Sequence, residues 1–96
     1  MEEHDIGWAV RRMKQGRLVT RAGWNGKGMY VFYNPGSEIT VSEGRPMAFA
    51  IKVGTQVQML PYIMMRTVTG ACVPWLASQS DLLADDWEVV ALDLSE

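Results

Sequence analysis

Ile6, Ala9, Val10 and Met13 recur at spacings of three and four between Asp5 and Gln15, which predicts an amphipathic helix. Asp5 stands where a carboxylate caps the first turn, and Gly16 where the chain leaves the last. Arg11, Arg12, Lys14 and Gln15 fall on the outer face near the carboxyl end, where cations complement the helix dipole, and they read as a solvated face. Beyond Gly16 the period changes. Leu18, Val19 and Thr20 are β-prone, Arg21-Ala22-Gly23-Trp24-Asn25-Gly26-Lys27-Gly28 is rich in glycine, and Met29 to Tyr33 is a second apolar run. Strand, glycine-rich loop and strand are predicted. Asn34-Pro35-Gly36 turns the chain, Ile39 and Val41 alternate with polar neighbours as in a half-buried strand, and Glu43 to Pro46 breaks the pattern. Met47 to Gly54 fits no single period.

Val57 to Arg66 is extended in character, but Pro61 has no N–H to give a ladder, so the run belongs at a sheet edge or is two pieces. Thr69-Gly70 turns the chain back. Val73-Pro74-Trp75-Leu76 is apolar; Ser78-Gln79-Ser80-Asp81 follows, rich in capping residues, and then Leu82, Leu83 and Ala84, which suits a helix of two turns. Trp87 to Leu94 reads as the last strand. It carries apolar groups on both faces and is expected at the centre of the sheet. Short strands separated by tight turns outnumber helices. The expected fold class is therefore α+β, a small antiparallel sheet with one main amphipathic N-terminal helix and a short helix in the C-terminal half. With no internal repeat and no linker, residues 1–96 are expected to form a single domain.

Composition changes this picture mainly by exclusion. Nine Lys and Arg against eleven Asp and Glu give a net charge of -2, the wrong sign for binding a duplex by neutralising many phosphates, so no DNA or RNA duplex partner is expected. The acidic amino end and the lack of an apolar stretch near the roughly 20 residues that span a bilayer predict neither signal peptide nor membrane association. A single cysteine, Cys72, forms no disulfide within the chain, as suits a cytoplasmic protein.

Groups for catalysis are scarce. His4 is the only histidine, and Cys72 beside Val73 reads as a small buried hydrophobe. No third residue completes a metal site with them, and no cofactor is implied. Asp85 and Asp86 point to different sides of the chain, which is wrong for a shared-proton pair, and Asp86 reads as capping or solvated. Gly23, Gly26 and Gly28 fit neither GxGxxG nor a P-loop. The loop nevertheless holds the parts for an anionic ring compound: bare glycine amides and Lys27 for phosphate, with Arg21 just before, Asn25 for a ribose hydroxyl or base edge, and Trp24 for stacking on a purine. The competing reading is a tight hairpin with Trp24 in the core. Likewise Ser78, Gln79, Ser80 and Asp81 suit hydroxyls and anions at a helix start, or Ser78 or Ser80 simply caps the helix while Trp75 fills the core. Four tryptophans, Trp8, Trp24, Trp75 and Trp87, exceed what one small core requires, which points to indoles that meet a ligand or a subunit.

Gly23-Trp24-Asn25-Gly26-Lys27-Gly28-Met29 and the long stretch from Val73-Pro74-Trp75-Leu76-Ala77-Ser78-Gln79-Ser80-Asp81 to Trp87-Glu88-Val89-Val90 together resemble the two hallmark segments of the second type of Thoeris anti-defence protein, a small phage and prophage family. The leading helix, the spacing and the closing strand also fit, so the resemblance covers nearly the whole chain. It implies a non-catalytic sponge in the cytoplasm of an infected bacterium, binding the cyclic ADP-ribose signal made by TIR-domain enzymes and keeping it from the Thoeris effector. It further implies a homotetramer, a dimer of dimers, with ligand pockets where subunits meet. Some members of the family also take up cyclic dinucleotides or other ADP-ribose conjugates. Carried over by residue, Trp24, Asn25, Gly26 and Met29 from the first segment and Trp75, Ser78, Gln79 and Asp81 from the second are expected to line the pocket, and Trp24→Ala to abolish binding without unfolding the chain.

The middle of the chain departs from the family pattern. Where a polar, acid-bearing run is expected after the proline, this sequence has Pro61-Tyr62-Ile63-Met64-Met65-Arg66-Thr67-Val68-Thr69-Gly70, a change that bears on which ligand fits or on a subunit contact. Two other classes compete with the sponge. One is a structural or protein-interaction module of phage origin, which shows no ligand mass; the other is a hydrolase of the same nucleotides, which returns product rather than intact ligand.

Overall fold

A computed structural model of the chain describes residues 3–24 and 28–91. Helix α1 (Ile6–Lys14) forms where the periodicity places it: the Asp5 carboxylate accepts the Trp8 N–H at 2.8 Å, and the chain leaves through Gly16 at φ 87°. At that exit Arg17 N–H reaches the Arg12 carbonyl and Gly16 N–H the Met13 carbonyl, a Schellman closure that needs the left-handed conformation glycine adopts freely. The outer face of α1 is not wholly solvated as expected. The Arg12 guanidinium lies 5.8 Å from the centre of the Trp8 ring, over its face.

The strands are β1 (Val19–Arg21), β2 (Tyr30–Asn34), β3 (Ser37–Thr40), β4 (Gln56–Met59), β5 (Tyr62–Arg66), β6 (Cys72–Pro74) and β7 (Trp87–Val89). Five build one antiparallel sheet in the order β6-β5-β2-β1-β7, and β3 pairs with β4 in a separate two-stranded arm. Pro61 does split the extended run in two, β4 in the arm and β5 in the main sheet. The stretch without a clear period contains a 3-10 turn at Pro46–Phe49. The fold is α+β, with α1 laid across β7, β2 and β1. Trp8, Ala9 and Met13 of α1 and Val19, Val31 and Trp87 of the sheet form the buried core.

Two expectations about the C-terminal half are corrected. The helix after Ser78, α2 (Gln79–Leu82), is one turn, because Leu83 already forms its C-terminal cap. The last strand lies at the edge of the sheet, not the centre, and ends at Val89, with Val90 and Ala91 outside it; positions 92–94 of the expected strand lie outside the described residues. Its outer side is sheltered by the residues before α1: Trp87 N–H donates to the His4 carbonyl, and His4 Nδ1 lies 2.8 Å from the Trp87 carbonyl. Within β7 itself only one face is apolar: Trp87 and Val89 turn inward, and Glu88 between them is exposed. Among the described residues no helix is long and apolar enough to cross a membrane.

Candidate functional site

Antiparallel pairing of β1 with β7 sets Arg21 opposite Trp87. The glycine-rich loop that leaves β1 therefore starts beside the residues that lead into β7, although 60 positions and more separate them in sequence. Three indoles meet at this corner. Trp24 and Trp75 each turn against Trp87, at centroid distances of 5.4 and 5.9 Å and interplanar angles of 78° and 84°. They meet each other at 6.3 Å and 67°. Edge-to-face contact sets the positive rim of one ring on the negative face of the next. Trp87 is 1% exposed, whereas Trp24 and Trp75 are half-buried and pack against the core from its rim.

A polar cluster fixes the same corner. Ser78 is the residue that caps α2: its hydroxyl accepts the Asp81 N–H while Asp81 Oδ2 accepts the Ser78 N–H, a reciprocal capping box. Asp81 Oδ1 accepts from Trp24 Nε1 at 3.0 Å and from Arg21 Nη1 at 2.8 Å. Arg21 also grips Asp86 side-on, Nε to Oδ1 at 2.8 Å and Nη2 to Oδ2 at 3.4 Å. Asp86 Oδ2 in turn accepts the Gly23 N–H at 2.9 Å. Glycine at 23 has a steric reason, since a Cβ there would stand 2.9 Å from that carboxylate oxygen.

Electrostatics follow this geometry. Burial works to raise the Asp81 pKa, but hydrogen bonds from Trp24, Arg21 and Ser78 outweigh it and hold the carboxyl below its ordinary 3.8. Asp86 is held below the same value, chiefly by the Arg21 hydrogen bond, with burial opposing and the Gly23 amide assisting. Arg21 is raised above its ordinary value, first by Asp86 and then by Asp81. All three side chains are charged at neutral pH.

This arrangement revises several expectations. Arg21 is engaged by two carboxylates of its own chain and is not free for phosphate. The Gly23 amide is taken by Asp86, and Asp86 is neither a cap nor merely solvated. Asp81 is 8% exposed with both carboxylate oxygens occupied. Cys72 is exposed on β6, and His4 flanks β7, at the opposite edge of the sheet. Five lateral steps, roughly 24 Å in all, therefore separate the two, too far for a thiol and an imidazole to act together.

Of the residues expected to line a pocket, the structure brings Trp24, Trp75, Ser78 and Asp81 into one corner, with Gln79 exposed on the first turn of α2. Met29 is half-buried at the foot of β2, its carbonyl accepting the Thr20 hydroxyl at 2.8 Å. Asn25, Gly26 and Lys27 lie outside the described residues. Sequence placed Arg21 beside the loop as an anion contact, but not its bonds to Asp81 and Asp86, nor Asp86 and Trp87 as parts of this corner. One signal was available, because Ser78 and Asp81 have the spacing of a capping box and a carboxylate drawn inward there requires a cation. A cavity of about 410 Å³ lies elsewhere, between the arm and the 3-10 turn, lined by Ile39, Thr40, Val41, Ser42, Arg45, Pro46 and Met47. It has no aromatic face for a base.

Residues 4–90 match the family model described as the Thoeris anti-defense 2-like domain. The chain is similar to Thoeris anti-defense 2 of Bacillus phage SP01, with 32% identity over 89 residues that cover 90% of this chain and 93% of the phage protein. The match takes in both the loop after β1 and the run from Trp75 to Trp87, so the chain belongs to the Thoeris anti-defense 2-like family.

Proposed function

We propose that this protein counters Thoeris defence by sequestering a cyclic ADP-ribose-type signal without cleaving it. The observation that carries this reading is the convergence of Trp24 and Trp75 on Trp87, beside a glycine loop and a capped turn, in a member of an anti-Thoeris family. The half-buried indoles offer the ligand's base an aromatic surface, and each stacked base contributes about 1 to 3 kcal/mol. Asn25, Gly26 and Lys27 meet the ribose and diphosphate, with Ser78 and Gln79 adding polar contacts and Met29 an apolar one. The assembly is a homotetramer, and a neighbouring subunit closes each pocket. A scavenger that holds its signal at a Kd near 10 nM requires about -11 kcal/mol, within reach of stacking plus charge-assisted hydrogen bonds in a preformed site.

Native mass spectrometry with cyclic ADP-ribose isomers and cyclic dinucleotides tests the reading. A tetramer carrying whole-number additions of a cyclic ADP-ribose isomer is expected. Additions of a cyclic dinucleotide alone reassign the ligand, and a protein that takes up no nucleotide is an interaction module instead.

A further inference from the structure

We propose that Arg21 is a positioning residue, the latch that orients Trp24 for the ligand, and not a phosphate ligand; the proposal rests on the sequestration reading above. A cation beside a glycine-rich loop ordinarily reads as an anion site, but here the Arg21 side chain is 17% exposed and its Nε, Nη1 and Nη2 all donate to carboxylates of the same chain. One edge of the guanidinium lies along Asp86 just before β7. The remaining Nη1 reaches Asp81 in α2. The oxygen it meets, Asp81 Oδ1, is the one that accepts the Trp24 indole N–H. Asp86 at the same time takes the Gly23 amide, one residue before Trp24 in the loop.

The latch therefore joins three separated pieces of chain: the end of β1 with its loop, α2, and the start of β7. An indole packed only edge-to-face can rotate about its own side-chain bonds. One whose N–H is tied to a carboxylate, itself held by a guanidinium, keeps its plane. Only arginine supplies this geometry, because its rigid fork presents donors to two carboxylates at once, whereas a lysine ammonium on a flexible stem meets one acceptor well. The cluster is internally neutralised apart from one excess negative charge, which Asp81 and Asp86 share against Arg21.

Arg21→Lys tests the latch on the full-length protein with two readouts. Exchange of the Trp24 indole N–H with deuterated solvent, followed by NMR on the ligand-free protein, is expected to quicken at least tenfold while that of Trp87 stays within threefold. Affinity for a cyclic ADP-ribose isomer is expected to fall at least tenfold. Unchanged indole exchange overturns the proposal, and a loss of affinity with unchanged exchange assigns Arg21 to direct ligand contact, which also overturns it. Should Arg21→Lys fail to fold, Asp86→Asn removes the charge on one side of the fork and is expected to quicken Trp24 exchange about threefold, with no change again overturning the latch. Failure of the wild-type protein to bind any cyclic nucleotide removes the sequestration reading alone, because the exchange experiment decides the latch without ligand.

Discussion

Trp24 donates its indole N–H to Asp81 at 3.0 Å, tying the loop after β1 to the turn before β7. The ring is thus both a surface for a ligand and a structural contact against Trp87 and Trp75. Trp24→Ala is accordingly not neutral to the fold. It removes the ring packing and one of the two hydrogen bonds to Asp81 Oδ1, leaving that oxygen to Arg21 alone, and is expected to cost about 2 to 3 kcal/mol in denaturant unfolding as well as ligand binding. Trp24→Phe is the milder change: an aromatic ring remains, smaller than the indole and without its N–H, so a smaller loss of stability is expected with measurable residual affinity.

Acid should undo the same corner. Asp81 and Asp86 are both held below 3.8, so the stability they contribute is present in full above that ordinary value and is lost as the pH falls through their lower folded-state values. Thermal unfolding followed against pH is expected to show the pair's contribution in full and independent of pH between about pH 5 and 7, and a drop below about pH 4. In Asp86→Asn that drop should be shallower, since one of the two linked protons is gone.

How far the sequence revealed this molecule depends on the range of the forces involved. Helix α1, the splitting of the chain at Pro61 and the turns at Gly36 and Gly70 follow from local periodicity and from the missing N–H of proline, and they stand in the structure. The position of β7 at the edge was hidden, because the apolar run continues past Val89, where the strand ends, and nothing local shows that the segment at His4, not a further strand, lies alongside Trp87. The two tryptophans of the site were legible as unusual residues in unusual company. The bond of Trp24 to Asp81, and the diversion of Arg21 and Gly23 to Asp86, were not, since those contacts span about sixty residues and arise only once β1 pairs with β7.

The core against which the indoles lean rests on a few side chains. Met13 is 1% exposed beneath the sheet, and Met13→Ala is expected to destabilise by about 3 kcal/mol, read from the denaturation midpoint at constant slope. A change under 1 kcal/mol would mean the helix repacks.

Gly36 controls the arm. It has φ 81°, and an added Cβ would overlap the Met59 carbonyl oxygen. Gly36→Ala combines left-handed backbone strain with a clash against main chain that has no easy retreat. Amide exchange is expected to quicken at Ile39 and Val57, paired across β3 and β4, while Val31 in the main sheet keeps its protection.

The fate of a captured molecule tests the central claim most directly. Wild-type protein is incubated with a cyclic ADP-ribose isomer, freed of unbound nucleotide, denatured by heat, and the released material analysed by mass and chromatography. Recovery of the intact cyclic molecule, in proportion to protein and lost in Trp24→Ala, is the predicted result; recovery of a linear or hydrolysed product, or of no nucleotide at all, would contradict it.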